Sequence, residues 1–576
     1  MKKFRKISSA LLASGILTTS LPVYSAAAAV GDLNGDGAIG KADVELFAQY
    51  FAGWTMDEDA KEGILAAGDV NGDEEVTRAD AMELARSVER WECTVTFDAN
   101  ADGVVGIPEN QVVAYRECAV EPTEPTREGY VFCGWYSTNL FESKNKFNFN
   151  DSAIDKNITL YAKWNYIGEI YQQEIKESDI ITDEESNITY AKNQLIIITD
   201  DAVDKDYVED IITPYSGEIV GYIELCNSYQ VIFEDKNTIQ DLYQLSDDLL
   251  TKSDHILSAT VHYMNEYGVQ WTAPNDYENE TEFRESWENY PDASGENWNL
   301  EAINVPNAWK YINTDTTIRV GVIDGGFSTS HIGLNIVHTW ENTFSPLTED
   351  KIHNINHGNH VAGTIGATWN DGGTAGIVNN AEIYGFSYLS DSNNITNKSG
   401  VYKGVYKYLY ALSLIVARDV KVINISLGQN RAEDHQMTSS TKKTIEEEAK
   451  ALGDGILNLL TNYDFLIIQG AGNQSNSNHP KKGGFGTVYN PQGWVDTEWS
   501  AGFASVPQKE ARDHIIIVGA FTIDESTTPT NYKISTYSNI GDEVDILAPG
   551  GDYITPDNAL FVWSTGAYAY DTAINT

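Results

Sequence analysis

A short apolar run, Val320-Gly-Val-Ile323, delivers Asp324 into a Gly325-Gly326 turn, and His357-Gly-Asn-His-Val-Ala-Gly-Thr364 then opens a segment of helical pattern. An apolar run bounded by a carboxylate and glycines reads as a buried strand. In open parallel α/β sheets, reactive groups gather outside the carboxyl ends of strands. An aspartate leaving one strand and a histidine opening the next helix can therefore meet there. A carboxylate that fixes an imidazole is the front part of a relay that activates a hydroxyl, which is a poor nucleophile on its own.

The surrounding pattern supports that placement. Apolar runs predict strands at 318–323, 382–388, 420–427, 464–470, 514–520 and 543–548. Between them, 357–368, 401–418 and 441–460 carry helical periodicity. Strand-helix alternation of this kind predicts a doubly wound α/β parallel sheet covered on both faces. Three further motifs stand in order around the pair: Trp298-Asn-Leu-Glu-Ala-Ile-Asn-Val-Pro-Asn-Ala-Trp309, Val422-Ile-Asn-Ile-Ser-Leu-Gly428 and Gly470-Ala-Gly-Asn473.

With Asp324 and His357, these motifs resemble the subtilase family over residues 298–576. The resemblance implies a serine endopeptidase acting on proteins and peptides. It makes Asp324 the carboxylate that orients the imidazole and His357 the general base. Ser426-Leu427-Gly428 would pair with extended substrate, and Asn473 would donate to the oxyanion. Gly325 stands where the family more often has Ser or Thr. His360 is expected to pack, because His-Gly-Asn-His lacks the glutamate and spacing of a zinc helix. The family's Gly-Thr-Ser-x-Ala nucleophile motif follows an Ala-Pro-Gly turn; Ala548-Pro549-Gly550 is present but the motif is not, and Ser564 in Trp-Ser-Thr-Gly does not fit it. The catalytic domain is therefore expected to be a C-terminally incomplete, inactive fragment. The alternative is a non-catalytic docking or adhesion protein with a protease-like binding domain.

The amino-terminal half has its own signals. Lys2, Lys3, Arg5 and Lys6, an apolar stretch over 7–21 and a small-residue site at 24–29 predict a secretory signal over 1–29. That stretch is shorter than the ~20 residues needed to span a bilayer, so no membrane span is expected, and the protein is placed outside the cell, secreted or in a cell-surface complex. A net charge of -47 argues against nucleic acid, whose binding relies on Lys and Arg. Only four cysteines occur, so disulfides do not build the fold, although one bridge among Cys93, Cys118 and Cys133 is open.

Within 31–91, Asp32-x-Asn34-x-Asp36-Gly37 with Asp43 recurs as Asp69-x-Asn71-x-Asp73 with Asp80, each running into an apolar-periodic helix, Ala42–Phe51 and Ala79–Trp91. Oxygen side chains at loop positions one, three, five and twelve suit a calcium ion. The duplication resembles a dockerin, which implies calcium-dependent docking to a cohesin module of a scaffoldin and no organic cofactor. Lys41-Ala42 and Arg78-Ala79 fall where dockerins carry recognition residues. Glu74 replaces the glycine of the sharp turn, which is expected to weaken the second loop.

Residues 92–165 alternate apolar and polar residues between turn signals and predict a small β module. Pro125-Thr-Arg-Glu-Gly-Tyr-Val-Phe-Cys-Gly-Trp-Tyr136 and Leu160-Tyr-Ala-Lys-Trp164 resemble the internalin-type B repeat, implying a spacer or weak adhesion role. Asp98-x-Asn100-x-Asp102-Gly103 with Glu109 matches a calcium-loop expression, but its flanks read as strands and Pro108 precedes the glutamate, so it is taken as a hairpin. Residues 190–265 read βαββαβ, a ferredoxin-like α+β unit. Its position before the Asp-His segment resembles the propeptide of secreted subtilisin-like proteases. Residues 266–297 form an acidic, aromatic linker where processing can occur.

Overall fold

The structure, a computed structural model, describes residues 29–88, 91–266, 298–327, 329, 333–340, 357–368, 376–388, 402–427, 439–472, 503–524, 531–553 and 559–560, apart from 151, 187, 235, 237, 310, 312–317, 380, 504, 536–537 and 540–543. The signal region at 1–28, the joint at 271–297, Gly428, Asn473 and Ser564 lie outside the described residues. The chain divides into two compact units. The first holds the described residues up to Asp98 with Pro108–Thr123 and Phe147–Leu160, and the second holds the rest.

In the first unit, α1 (Lys41–Phe51), α2 (Glu58–Ala67) and α3 (Arg78–Val88) enclose Leu33, Phe47, Ile64 and Leu84. Helix α2 has no counterpart in the sequence expectation. Ile64 is its one large buried side chain, too little for a periodic signal. Asp57 starts it by accepting from the Ala60 amide at 2.7 Å. Beyond the helices, β1 (Glu92–Asp98) pairs antiparallel with β2 (Gln111–Ala114).

In the second unit, β3 (Tyr130–Tyr136) pairs antiparallel with the Tyr161–Tyr166 part of β4 (Ile158–Tyr166). The chain then runs β5 (Ile188–Thr199), α4 (Lys205–Ile212), β6 (Gly217–Ile223), β7 (Ser228–Phe233), α5 (Ile239–Lys252) and β8 (Ile256–Tyr263). These strands form an antiparallel sheet in the order β8-β5-β7-β6. Alternate residues of β5 serve two cores. Leu195 and Ile197 join Val208, Leu242 and Leu245 of α4 and α5, whereas Ile196 and Ile198 join the core of the large α/β domain. A strand covered on both faces needs no polar alternation, which accounts for the unbroken Leu195-Ile-Ile-Ile198 run.

The large domain is built on β9 (Arg319–Asp324), β10 (Ile336–Trp340), β11 (Glu382–Ser387), β12 (Val422–Ile425), β13 (Leu466–Gly470), β14 (Ile515–Asp524), β15 (Asn531–Ile534) and β16 (Ile546–Pro549). The sheet order is β10-β11-β9-β12-β13-β14-β15, with β16 also on β14. Every pairing is parallel except β14 with β15. Helices α6 (His357–Gly366), α7 (Val405–Val416) and α8 (Ser439–Leu460) alternate with the strands. Val320 and Val322 of β9 pack in one core and Ile323 in another, so the sheet is buried on both faces. At Gly321 a Cβ would lie 2.6 Å from Ile415, so glycine lets α7 approach the strand.

Helix α7 starts at 405 rather than 401, because Tyr402–Lys403 is extended and pairs antiparallel with Asn265–Glu266. The segment 98–109 has strand flanks, with Asn100 and Gly103 in left-handed turn conformations. Cys93, Cys118, Cys133 and Cys226 are all free thiols, so the open question of a bridge among the first three closes without one.

Candidate active site

Strand β9 carries Asp324 into the interior at its carboxyl end, where the residue is fully buried. Its Oδ1 accepts from the Gly325 amide at 2.5 Å and lies 2.6 Å from His357 Nδ1. His357 opens α6, whose approach depends on the next residue. A Cβ on Gly358 would lie 2.3 Å from the Gly326 carbonyl oxygen, so only glycine lets the helix start sit against the turn after β9. The His357 ring is subject to two opposed effects: burial lowers its pKa, and the Asp324 carboxylate raises it by charge and hydrogen bond. The net shift is upward from 6.5. Nδ1 is committed to the carboxylate, which fixes the ring and leaves Nε2 for a proton. Among the described residues, Asp324 Oδ2 is buried without a hydrogen-bond partner.

Ser426 and Leu427 continue from the carboxyl end of β12, the neighbour of β9; Ser426 is exposed and accepts from Asn424 Nδ2 at 2.8 Å. Two residues that the sequence reading did not single out hold these loops. Buried Gln469 donates from Nε2 to the Leu427 carbonyl at 2.8 Å. Buried Asn539 donates from Nδ2 to the Ala471 carbonyl at 3.1 Å and from its amide to the Gly472 carbonyl at 2.9 Å, immediately before Asn473. A polar residue closing the apolar run Leu466-Ile-Ile-Gln469 was a usable signal for the first. Asn539 sits in an unremarkable polar stretch and carried none.

Residues 315–574 match the sequence model of the subtilase family. The chain carries a subtilase domain. It also carries a dockerin type I domain over 30–89 and, where the B repeat was expected, a Listeria-Bacteroides repeat domain over 94–163. Curated relatives of the subtilase domain include the minor extracellular protease Epr of Bacillus subtilis, 28% identical over 44% of this chain and 30% of the relative. Subtilisin NAT of Bacillus subtilis subsp. natto is 26% identical over 44% of this chain and 52% of the relative. The chain thus spans about half, or less, of the length of these relatives. Among solved structures, fervidolysin from Fervidobacterium pennivorans aligns with TM-score 0.41 at 17% identity, covering 67% of this chain and 50% of that one. The epidermin leader peptide processing serine protease of Staphylococcus aureus aligns with TM-score 0.39 at 18% identity, covering 63% and 76%.

The dockerin loops place their oxygens around each turn. Asp43 and Asp80, both fully buried at the first turns of α1 and α3, accept from the amides at the start of their own loops, Leu33 and Asn34 for one, Val70 and Asn71 for the other. Asp36 and Asp73 each accept from the Asn two residues earlier. Among the described residues no three Asp, Glu, His or Cys side chains converge as a metal cluster. The donor set nevertheless suits calcium in the first loop, where Asp32 Oδ1 is buried without a partner, an oxygen that a hard cation would satisfy. In the second loop, Glu74 adopts φ +71, a conformation that Gly37 supplies without strain in the first. No helix among the described residues is long and apolar enough to cross a membrane.

Proposed function

We propose that this protein is a secreted serine endopeptidase of subtilisin type, carried to a cohesin scaffold by its dockerin. The observation that supports the chemistry best is the 2.6 Å contact between fully buried Asp324 and His357 at the carboxyl end of a parallel strand. Asp324 holds the imidazole, His357 takes the nucleophile's proton at Nε2, and Asn473 donates to the oxyanion. Substrate extends along Ser426-Leu427-Gly428. Asp32, Asn34, Asp36 and Asp43 hold one calcium ion, and Asp69, Asn71, Asp73 and Asp80 a weaker second. Bound calcium neutralises the clustered carboxylates and orders the loops that present α1 and α3 to the cohesin.

Residues 190–265 act as a ferredoxin-like propeptide. Two features support this: the sheet order β8-β5-β7-β6, and the way the sheet is held on α7 and α8. Ser258 donates to Asp454 at 2.5 Å, Asn458 donates to the Thr199 and Cys226 carbonyls at 2.9 Å each, and Tyr406 donates to the Tyr171 carbonyl at 2.8 Å. Asn265–Glu266 leaves that sheet and adds itself as a strand to Tyr402–Lys403, the way an extended peptide engages a cleft. Cleavage then falls within 267–297.

The 576 residues contain no Gly-Thr-Ser-x-Ala segment, so residues 31–576 alone are expected to be inert. Labelling of that polypeptide by a fluorophosphonate probe would contradict this. The endopeptidase itself is tested by casein hydrolysis with a chain that carries such a segment in frame after residues 31–576. His357→Ala in that chain should lower kcat at least ~10³-fold, and an unchanged rate would exclude the assigned base.

A further inference from the structure

We propose that the second part of the Listeria-Bacteroides repeat is a non-covalent clamp that keeps the dockerin on the subtilase domain after the chain between them is cut. The inference rests on the reading that scission falls within 267–297, because such a cut removes the covalent path from the dockerin to the subtilase domain. Glu124–Lys146 and Tyr161–Tyr166, the second part of the repeat with the three residues that continue its last strand, belong to the same compact unit as that domain.

Two kinds of contact build the clamp. The first satisfies the end of α7. Its closing turn, Ala417-Arg418-Asp419, exposes carbonyls that have no partner inside the helix. The repeat supplies donors: Asn165 Nδ2 donates to the Ala417 carbonyl at 2.9 Å, and buried Cys133 Sγ donates to the same oxygen at 3.5 Å. In the reverse direction, Arg418 donates to the Phe132 carbonyl at 3.4 Å and Arg319 to the Cys133 carbonyl at 3.5 Å.

The second kind is a chain of alternating charge across the junction. Lys146 of the repeat meets Glu382 at 3.2 Å, Glu382 meets Arg319 at 3.0 Å, Arg319 lies 3.7 Å from Asp419, and Asp419 pairs with Lys163 of the repeat. None of the five side chains is more than 27% exposed. The sequence has 38 basic residues against 85 acidic ones, so this concentration of cations is not the background of its surface. Burial pushes the Cys133 thiol up to about 11, so it stays a neutral donor. A flexible spacer would leave such groups solvated. Here each cation from the repeat is paired with an acid of the subtilase domain, and removing one partner leaves a buried charge exposed to desolvation cost. Because residues 29–166 are one continuous chain, whatever holds 124–166 also retains the dockerin.

The test uses the chain from residue 31 with an amino-terminal affinity tag and two inserted sites for an exogenous sequence-specific protease, one after Glu174 and one within 271–297. Cutting both separates the repeat, the propeptide-like sheet and the subtilase domain without requiring self-processing. Self-processing is read separately, in the chain that carries a Gly-Thr-Ser-x-Ala segment in frame: absence of a cut within 267–297 there tells against the maturation reading without touching the clamp. With the native sequence, the tagged fragment is expected to retain the subtilase domain. In Lys146→Glu with Lys163→Glu, release should be at least tenfold faster. The charge swap Lys163→Asp with Asp419→Lys should restore retention relative to Lys163→Asp alone, which separates loss of pairing from failure to fold. Separation of the native fragments overturns the proposal. Retention that ignores both the reversal and the swap also overturns it, since the propeptide-like sheet would then be the bridge.

Discussion

Replacing Asp324 with asparagine keeps the shape of the pair and removes its charge. In the native protein burial acts to lower the pKa of His357, yet the pKa lies above 6.5 because the carboxylate 2.6 Å from Nδ1 outweighs burial. With charge centres ~4 Å apart and an effective dielectric constant of ~20, the attraction is on the order of 4 kcal/mol, enough to outweigh the effect of burial on the imidazole. In Asp324→Asn only burial remains, so the direction reverses and His357 should titrate well below 6.5. The linkage has a definite sign. A group whose folded pKa is raised contributes stability that is fully present below its unfolded pKa and lost as pH rises through the folded value. The variant should therefore be most destabilised below pH 6.5 and approach the native protein under alkaline conditions. NMR titration of imidazole-labelled protein reads the pKa directly, and thermal melts at about pH 5 and about pH 9 read the linkage. A His357 pKa in the variant that equals or exceeds the native one would refute the ion-pair reasoning.

Glu74→Gly should relieve left-handed strain of ~1–2 kcal/mol, partly offset by the extra entropy of glycine, for a net gain of roughly 1 kcal/mol. Calorimetric titration should show about fivefold tighter calcium binding at the second loop, and no change would mean that φ +71 there costs nothing. His262, fully buried beside Gln194 Oε1 at 3.0 Å and next to Gly404, has its pKa pushed by burial down to about 3. Its folded pKa is depressed, so its contribution is present above 6.5 and lost as pH falls from 6.5 toward about 3. Hydrogen exchange of β8 should show the contact with the subtilase domain weakening by about 1.4 kcal/mol per pH unit below 6.5. His262→Gln should flatten that slope.

Much of the active-site half was legible because its physics is local. A strand buried on both faces must be continuously apolar, and a carboxylate at its end is conspicuous, so Asp324 and the borders of β9, β11, β12 and β13 could be read within two residues, whereas β14 runs on to Asp524 and β16 begins only at Ile546. The helix beginning at His357 was equally plain. The repeated aspartates of the dockerin loops follow from the oxygen ligands that a hard cation takes, and two copies made the pattern unmistakable. Helix α2 and strand β10 escaped, since each is short and carries few periodic apolar residues.

Other features exist only because distant segments meet. No sequence rule joins Gln469 to Leu427 or Asn539 to Ala471, because a side-chain amide finds a carbonyl only after the sheet sets neighbouring strand ends side by side. The same holds for the repeat. Its resemblance to the B repeat implied a spacer or weak adhesion role, and nothing in the sequence around Lys146 and Lys163 marks them for pairing. Their partners, Glu382 and Asp419, lie more than two hundred residues away and become partners only when the fold closes that separation. The sequence by itself determined which groups could do chemistry and on which elements they ride. Tertiary structure decided which charges are buried together, because desolvation depends on what packs over a residue and not on what precedes it in the chain.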